Sequence, residues 1–274
     1  MLAPTLIMKI CASFSITLAF LLVFALPAST DDEETKDGWI SLFNGKDLSG
    51  WTPKIAGYSA GENALDTFRV EDGILKVSYD KYDKFDNRFG HLYSNVAYSH
   101  YLLRMEYLFT GTMMKDAPTW VNLNSGVMLH SQSPLSMRLD QHFPVSMEFQ
   151  FLADDGTDER STGNVCTPGT NLEIDGELVT QHIVRSTAPV FPVEKWVKIE
   201  AEVRGDEVIV HRVDGKEVLR YQKPQLDPEG RVQENELLLK AGAPKALKFG
   251  YIALQAEGQP VWFRNIELKP LAEK

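Results

Sequence analysis

Cysteine is nearly absent from this chain. Only Cys11 and Cys166 occur in 274 residues. Cys11 lies in an apolar leader, so no internal disulfide framework braces the fold. Such a chain must rest on a hydrophobic core, and this one is long enough to build it. Positive charge is also scarce: 28 Lys and Arg stand against 38 Asp and Glu, for a formal net charge of −10. That deficit argues against nucleic acid and against anionic membranes as partners. Helical periodicity is missing from most of the chain, as are heptads, internal repeats and a βαβ rhythm. Coiled-coil, solenoid and doubly wound architectures are thereby excluded. The six histidines show no His-x-x-x-His spacing, so no local metal-ligand signature is present.

The N-terminal residues differ from the rest. Met8-Lys9 is followed by an apolar run from Ile10 to Leu26, then Pro27-Ala28-Ser29, then Asp31-Asp32-Glu33-Glu34. This is the order of a secretory signal peptide cut near Ala28. An uncleaved membrane anchor is the alternative, with a run near the lower length limit for a span. Cys11 begins the apolar run rather than ending it, which argues against a lipid-modified cysteine. The expected organisation is a signal peptide over 1–28, an acidic linker over 29–37 and one domain over 38–270. The protein is expected to be exported, periplasmic or extracellular, with no membrane association after cleavage.

Short alternating segments dominate the remainder. In WVKIEAEV, Trp196 to Val203, the apolar Val197, Ile199, Ala201 and Val203 share one face and the charged residues share the other. That predicts a half-buried strand. Gly205-Asp206 and Asp214-Gly215 are turn signals that extend it into a three-stranded meander ending near Tyr221. Further strands are predicted at Phe68–Val70, Ile74–Ser78, Tyr101–Phe109, Gly126–His130, Val145–Leu152, Leu172–Ile174, Phe249–Ala256 and Val261–Leu268. Eight or more short strands with regular turns predict an all-β sandwich or jelly roll. The stretches 78–99 and 154–192 read as long irregular loops, and 227–248 can hold a short helix.

Three stretches carry a resemblance: SLFNGKDLSGW (Ser41 to Trp51), NSGVMLH (Asn124 to His130) with SMEFQFL (Ser146 to Leu152), and FGYIALQAEGQPVWFRNIELK (Phe249 to Lys269). In this order the chain resembles the 3-keto-disaccharide hydrolase domain family. The resemblance implies a concanavalin A-like jelly-roll β-sandwich, an exported protein, a small carbohydrate as partner, and cleavage of glycosides oxidised to a ketone at sugar carbon 3. The alternative on the same fold is a non-catalytic, lectin-like carbohydrate-binding or cell-envelope protein. One departure from the family pattern falls after the Glu-x-Gln strand: Asp154 or Asp155 can fill the expected Asp position, but no Tyr follows Gly163.

Strand parity singles out residues with chemistry. Glu148 and Gln150 alternate with Met147, Phe149 and Phe151, so they share a face roughly 7 Å apart by strand rise. A carboxylate beside an amide suits hydroxyl recognition, or a base beside a positioning group; a solvated face is the plain alternative. Asn124, Ser125 and His130 form a second group, in which Asn124, Gly126 and His130 share parity if the strand is regular. His130 can shuttle a proton near neutral pH. His91 and His182 can lean over a sheet face from loops. Gln255 and Glu257 share parity, as do Trp262 and Arg264, and an aromatic beside Arg and Gln is a common sugar platform. Core packing and a structural ion pair are the plain alternatives there. Glu148 or His130 is expected as base, Arg264 or Gln150 as enolate donor, and His91 or His182 as acid. Glu148, Gln150, His130 and Arg264 are expected to line one pocket. No cofactor is expected, with a divalent metal on His91, His130, His182 and a carboxylate as the alternative. EIDGE, Glu173 to Glu177, mimics a retaining-glucanase signature, but Asp175-Gly176 predicts a turn that would separate its carboxylates. Cys166 reads as a buried, inert thiol.

Overall fold

A computed structural model describes residues 37–157, 160–229 and 233–273. The expected signal peptide and nearly all of the expected acidic linker lie outside the described residues. In chain order the first strands are β1 (Ile40–Ser41), β2 (Trp51–Ile55), β3 (Phe68–Glu71), β4 (Ile74–Val77), β5 (Gly90–Tyr98), β6 (His100–Phe109), β7 (Asn124–Ser131) and β8 (Met147–Leu152). Then come β9 (Val165–Cys166), β10 (Thr170–Ile174), β11 (Glu177–Val179), β12 (Ile183–Val184), β13 (Val197–Arg204), β14 (Val208–Val213), β15 (Lys216–Leu226), the helix α1 (Gln233–Lys240), β16 (Gly250–Ala256) and β17 (Val261–Pro270).

These strands make two antiparallel sheets. One runs β11-β10-β15-β14-β13-β6-β17-β4-β3, with β1 also on β17; the other runs β12-β9-β8-β7-β16-β5-β2. The inner faces of the two sheets meet in one core, giving the expected sandwich. Tyr107 on β6 stacks on Phe151 on β8 with ring centroids 4.3 Å apart, and its hydroxyl bonds Thr162 Oγ1 at 2.8 Å. His211 on β14 lies flat on Phe149 at 3.8 Å. Its ring nitrogens reach Gly163 O and Tyr221 Oη, so this is a satisfied core histidine. Each aromatic buried between the sheets contributes about 2–3 kcal/mol of hydrophobic stabilisation.

The meander β13-β14-β15 follows from its alternation, and the buried positions of β13 are Val197, Ile199, Ala201 and Val203. Asp175 and Gly176 form the expected turn, with Ile174 paired to Glu177. Glu173 and Glu177 thus sit on opposite strands, and Glu173 is ion-paired with Lys223. The SLFNGKDLSGW stretch builds a corner: Asn44 and Asp47 side chains bond Lys46, Asp47 and Ser49 amides, and Trp51 Nε1 donates to Leu42 O at 2.7 Å. Residues 78–99 are not one loop, because β5 occupies Gly90–Tyr98. Gly90 to Ser94 are all buried, covered on both faces, so the period-2 signal of a half-wet strand is missing there. Short strands β9 to β12 likewise occupy part of 154–192. Among the described residues no helix is long and apolar enough to cross a membrane.

Candidate functional site

The inward residues of β8, Met147, Phe149 and Phe151, belong to the core. Glu148 and Gln150 therefore face outward from the seven-stranded sheet. Strand register extends that outer face into two rows. In one, Lys54 pairs with His91 and His91 with Gln255; Gly126 pairs with Gln150 further along. In the other, Thr52, Tyr93, Ala253, Met128, Glu148 and Cys166 follow in paired succession. Glu257 continues the parity of Gln255 just beyond β16. Lys54, His91, Gln255, Glu257, Glu148, Gln150, Asn124 and Asn164 are all buried although polar or charged.

Several of these groups lack partners. Both ring nitrogens of His91, Oε1 of Gln255 and Oε1 of Glu257 are buried without a hydrogen bond. Native proteins rarely leave such atoms orphaned, and a cluster of them on one face marks a place for polar ligand atoms. The amides are the ordered counterpart. Ser186 N donates to Asn164 Oδ1 at 2.9 Å, Asn164 Nδ2 to Gln150 Oε1 at 3.0 Å, and Gln150 Nε2 to Asn124 Oδ1 at 3.2 Å. Asn124 Nδ2 points on to Trp120 O at 3.4 Å.

Burial sets the electrostatics. It pushes the Glu148 carboxyl up to about 8. Burial first, then the like charge of Glu148, lifts Glu257 well above the ordinary carboxyl range, with Arg160 opposing. Burial and the same two carboxyls raise the Cys166 thiol, which is the inert state expected of it. Burial, then Lys54, lowers His91 to about 3, so its ring is neutral at physiological pH. The outer face therefore carries two buried carboxyls, each raised and Glu257 in part by the charge of Glu148, that resist joint ionisation.

Gly126 makes room for Glu148. A Cβ added at Gly126 would lie 2.6 Å from Glu148 Oε1 and 3.0 Å from Phe149 O. Gly126→Ala is expected to displace the Glu148 carboxyl and to cost about 1–3 kcal/mol of stability, the usual range for overpacking. Chemical denaturation checks the second expectation; an unchanged midpoint would show that the strand relaxes freely.

The segment 132–146 folds over the β2–β5 end of the face. Lys54 Nζ donates to Ile55 O and Leu139 O, each at 3.0 Å, and Tyr93 Oη bonds Met137 Sδ. Phe143 of this segment stands edge-on to His91, centroids 6.2 Å apart. An open cleft of ≈ 640 Å³, lined by Arg138, His142, Phe143, Thr167, Asn171 and His182 among others, lies beside Glu148 rather than over it.

Of the residues singled out in the sequence, Glu148, Gln150, Asn124, Gln255 and His91 share the outer face. His182 is exposed at the rim of the neighbouring cleft. Four others lie elsewhere. Ser125 is opposite Phe151, on the core side, and its hydroxyl donates to Gln255 O at 3.0 Å. His130 sits at φ 49°, next to a register shift in β16 between Tyr251 and Ala253. That irregularity breaks the alternation, and its Nε2 meets Gly205 O of the other sheet at 2.9 Å. Trp262 and Arg264 belong to β17, whose Val261 and Phe263 take the core. They therefore face outward from the opposite sheet, Trp262 under Lys76 and Arg264 paired with Glu106 at 2.7 Å. The expected single pocket of Glu148, Gln150, His130 and Arg264 does not exist. His91, His130 and His182 do not converge, so they form no joint metal site. Among the described residues no group of three His, Cys, Asp or Glu is gathered to hold a metal.

Sequence reasoning noted Glu257 by its parity but gave it no role, and passed over Lys54, Asn164 and Trp120. The shared parity of Gln255 and Glu257 was the available signal for the first. Lys54 and Asn164 carried none, because their burial depends on segments distant in the chain.

Comparison with known proteins agrees with this architecture. No curated protein matches the chain. Two solved structures of candidate glycosyl hydrolases from Parabacteroides distasonis ATCC 8503 share the fold. One has a TM-score of 0.55 at 19% identity, covering 89% of this chain and 98% of its own. The other has a TM-score of 0.51 at 16% identity, covering 85% and 99%. The profile of the 3-keto-alpha-glucoside-1,2-lyase-like domain matches residues 38–269. The chain belongs to the family of 3-keto-alpha-glucoside-1,2-lyase-like domains.

Proposed function

We propose that this protein is an exported carbohydrate-active enzyme that cleaves 3-keto-glycosides by elimination. The observation that carries the proposal is the buried Glu148–Glu257 carboxyl pair among unpartnered polar atoms on the outer sheet face. A ketone at carbon 3 acidifies the proton on carbon 2. Glu148, the more accessible of the pair, takes that proton as carboxylate, and the C–H electron pair passes to the ketone oxygen as an enolate. Re-formation of the ketone expels the oxygen at carbon 1, and that oxygen takes a proton from the carboxyl of Glu257. The product is an unsaturated keto sugar to which water adds in a later step. Two buried carboxyls that oppose each other's ionisation suit this task, because one member stays protonated while the other is a base of raised strength. The neutral His91 ring offers an N–H to the enolate oxygen, and the Asn124–Gln150–Asn164 amides fit sugar hydroxyls. Family membership supports the substrate class, and the signal-like order of residues 8–34 supports action outside the cytoplasm.

The test is incubation with methyl 3-keto-α-glucoside and with its unoxidised parent. Loss of the keto form alone is expected. Binding of both without turnover would leave a lectin-like protein instead.

A further inference from the structure

A groove of ≈ 230 Å³ lies between the ends of β7 and β16 and the turn that follows α1. Val145, Leu226 and Leu247 give it apolar walls, and Phe249 and Tyr251 add aromatic rings. Phe249 is 63% exposed in a protein that buries most of its large aromatics. His130 lines the groove as well, although only 1% of it is accessible. Its tautomer is fixed. Nε2 meets Gly205 O at 2.9 Å, and a carbonyl can only accept, so Nε2 carries the proton. Burial lowers the ring's pKa to about 4 against the opposing pull of Gly205 O, which leaves Nδ1 as a bare lone pair at neutral pH. That atom is buried without a hydrogen-bond partner. Ser131, Gln132 and Ser133, on the same lining, are each hydrogen-bonded. The backbone that carries the ring is held too. His130 sits at φ 49°, uncommon for a residue other than glycine. Gly250 crosses so close that a Cβ there would lie 2.4 Å from His130 C and 2.6 Å from its Cα.

We infer that this groove binds a compact phenol, with its ring against the apolar walls and its hydroxyl donating to His130 Nδ1. A buried acceptor without a partner costs free energy that a ligand donor recovers. The orphan atom therefore selects what can enter. A carboxylate, ketone or ether has no proton to give, and an ammonium ion would meet apolar walls with its charge uncompensated. A phenol O–H is a better donor than that of an alkanol, and its ring packs on Phe249 and Tyr251. The volume sets the size, because it falls below the roughly 300–1,000 Å³ of sites for drug-sized ligands. The site needs nothing of the elimination chemistry proposed above, and neither Glu148 nor Glu257 lines it.

The test is an NMR titration of the protein, with its histidines labelled with nitrogen-15, using phenol and its methyl ether anisole. The ether has the same ring and no donor. Wild type is expected to bind phenol about three- to tenfold more tightly than anisole, the usual worth of one hydrogen bond. Phenol should move the His130 Nδ1 resonance to lower frequency while Nε2 keeps its proton. Ala243 also lines the groove, and Ala243→Trp should fill it. That variant should lose phenol binding and the Nδ1 shift, with the remaining histidine resonances unmoved. No binding of phenol, anisole bound as tightly as phenol, or a phenol complex that leaves Nδ1 in place would each overturn the inference. So would a shift that survives Ala243→Trp. Wild type alone decides the first three outcomes, so the inference stays open to refutation even where the variant does not fold.

Discussion

Glu148→Gln is expected to lower turnover of a 3-keto-glycoside by about 10²- to 10⁴-fold, the usual worth of a positioned base. Glutamine keeps the shape and reach of the side chain over Gly126 but accepts no proton at carbon 2. The loss should fall on kcat more than on KM, because the amide still offers hydrogen bonds to the sugar. In wild type, kcat/KM should rise with pH as the pair sheds its first proton, towards the value of about 8 to which burial pushes Glu148. That rise should vanish in whatever residual activity Glu148→Gln retains. Steady-state kinetics over pH 6–9 checks both points. Wild-type turnover in a folded Glu148→Gln protein would remove Glu148 from the reaction; His130 is no substitute, since its ring is turned to Gly205 O.

Stability against pH should form an asymmetric dome with its top near pH 6.5. The Glu148 and Glu257 carboxyls are held above their ordinary value of 4.5. Their protonated forms favour the folded state, fully below pH 4.5, and that advantage is lost as pH climbs through the folded values. Three buried histidines act in the other direction: His91 is lowered to about 3, and His130 and His211 to about 4, from 6.5. The unfolded chain gains their protons below pH 6.5 while the folded chain stays neutral there, so stability falls on acidification. Each such group contributes a slope of about 1.4 kcal/mol per pH unit where the two states differ by a full proton. Above pH 6.5 the carboxyls act alone and stability declines. Between 4.5 and 6.5 the three histidines outweigh the two carboxyls, and stability rises weakly with pH. Below 4.5 the histidines act alone and the loss is steep. Thermal melting from pH 4 to 9 checks this profile. Glu148→Gln should flatten the alkaline side and be more stable than wild type at pH 9; an unchanged alkaline slope would mean that these carboxyls ionise freely in the folded protein.

The sequence made the fold legible wherever one face of a strand is wet. The β13–β15 meander could be read because charged residues alternate with Val, Ile and Ala. It hid β5 because Gly90 to Ser94 are covered on both sides and nothing alternates. The same rule explains the site. Glu148 and Gln150 could be assigned to one face from Met147, Phe149 and Phe151 alone. His130 could not, because the register shift opposite it is set by β16, far along the chain. For Trp262 and Arg264 parity was right and sheet membership was unreadable: no local pattern says that β16 and β17, though consecutive, join different sheets. Lys54 and Glu257 look like ordinary surface charges until the 132–146 segment and the neighbouring strands close over them.

The row of amides has a built-in direction. An Asn or Gln side chain can in principle be turned end for end, exchanging its oxygen and nitrogen. Here the Ser186 backbone can only donate, so Asn164 must present oxygen to it and nitrogen to Gln150. Gln150 must then present nitrogen to Asn124, and Asn124 must aim its own nitrogen at Trp120 O. No single member can reverse without facing like against like on both sides. The pattern of donors and acceptors over this face is thus fixed at two peptide groups, the Ser186 N–H that can only donate and the Trp120 carbonyl that can only accept, and carried link by link between them. A break at Asn164 would leave Gln150 and Asn124 held from the Trp120 end alone, and the donor and acceptor pattern of the row would be set less firmly.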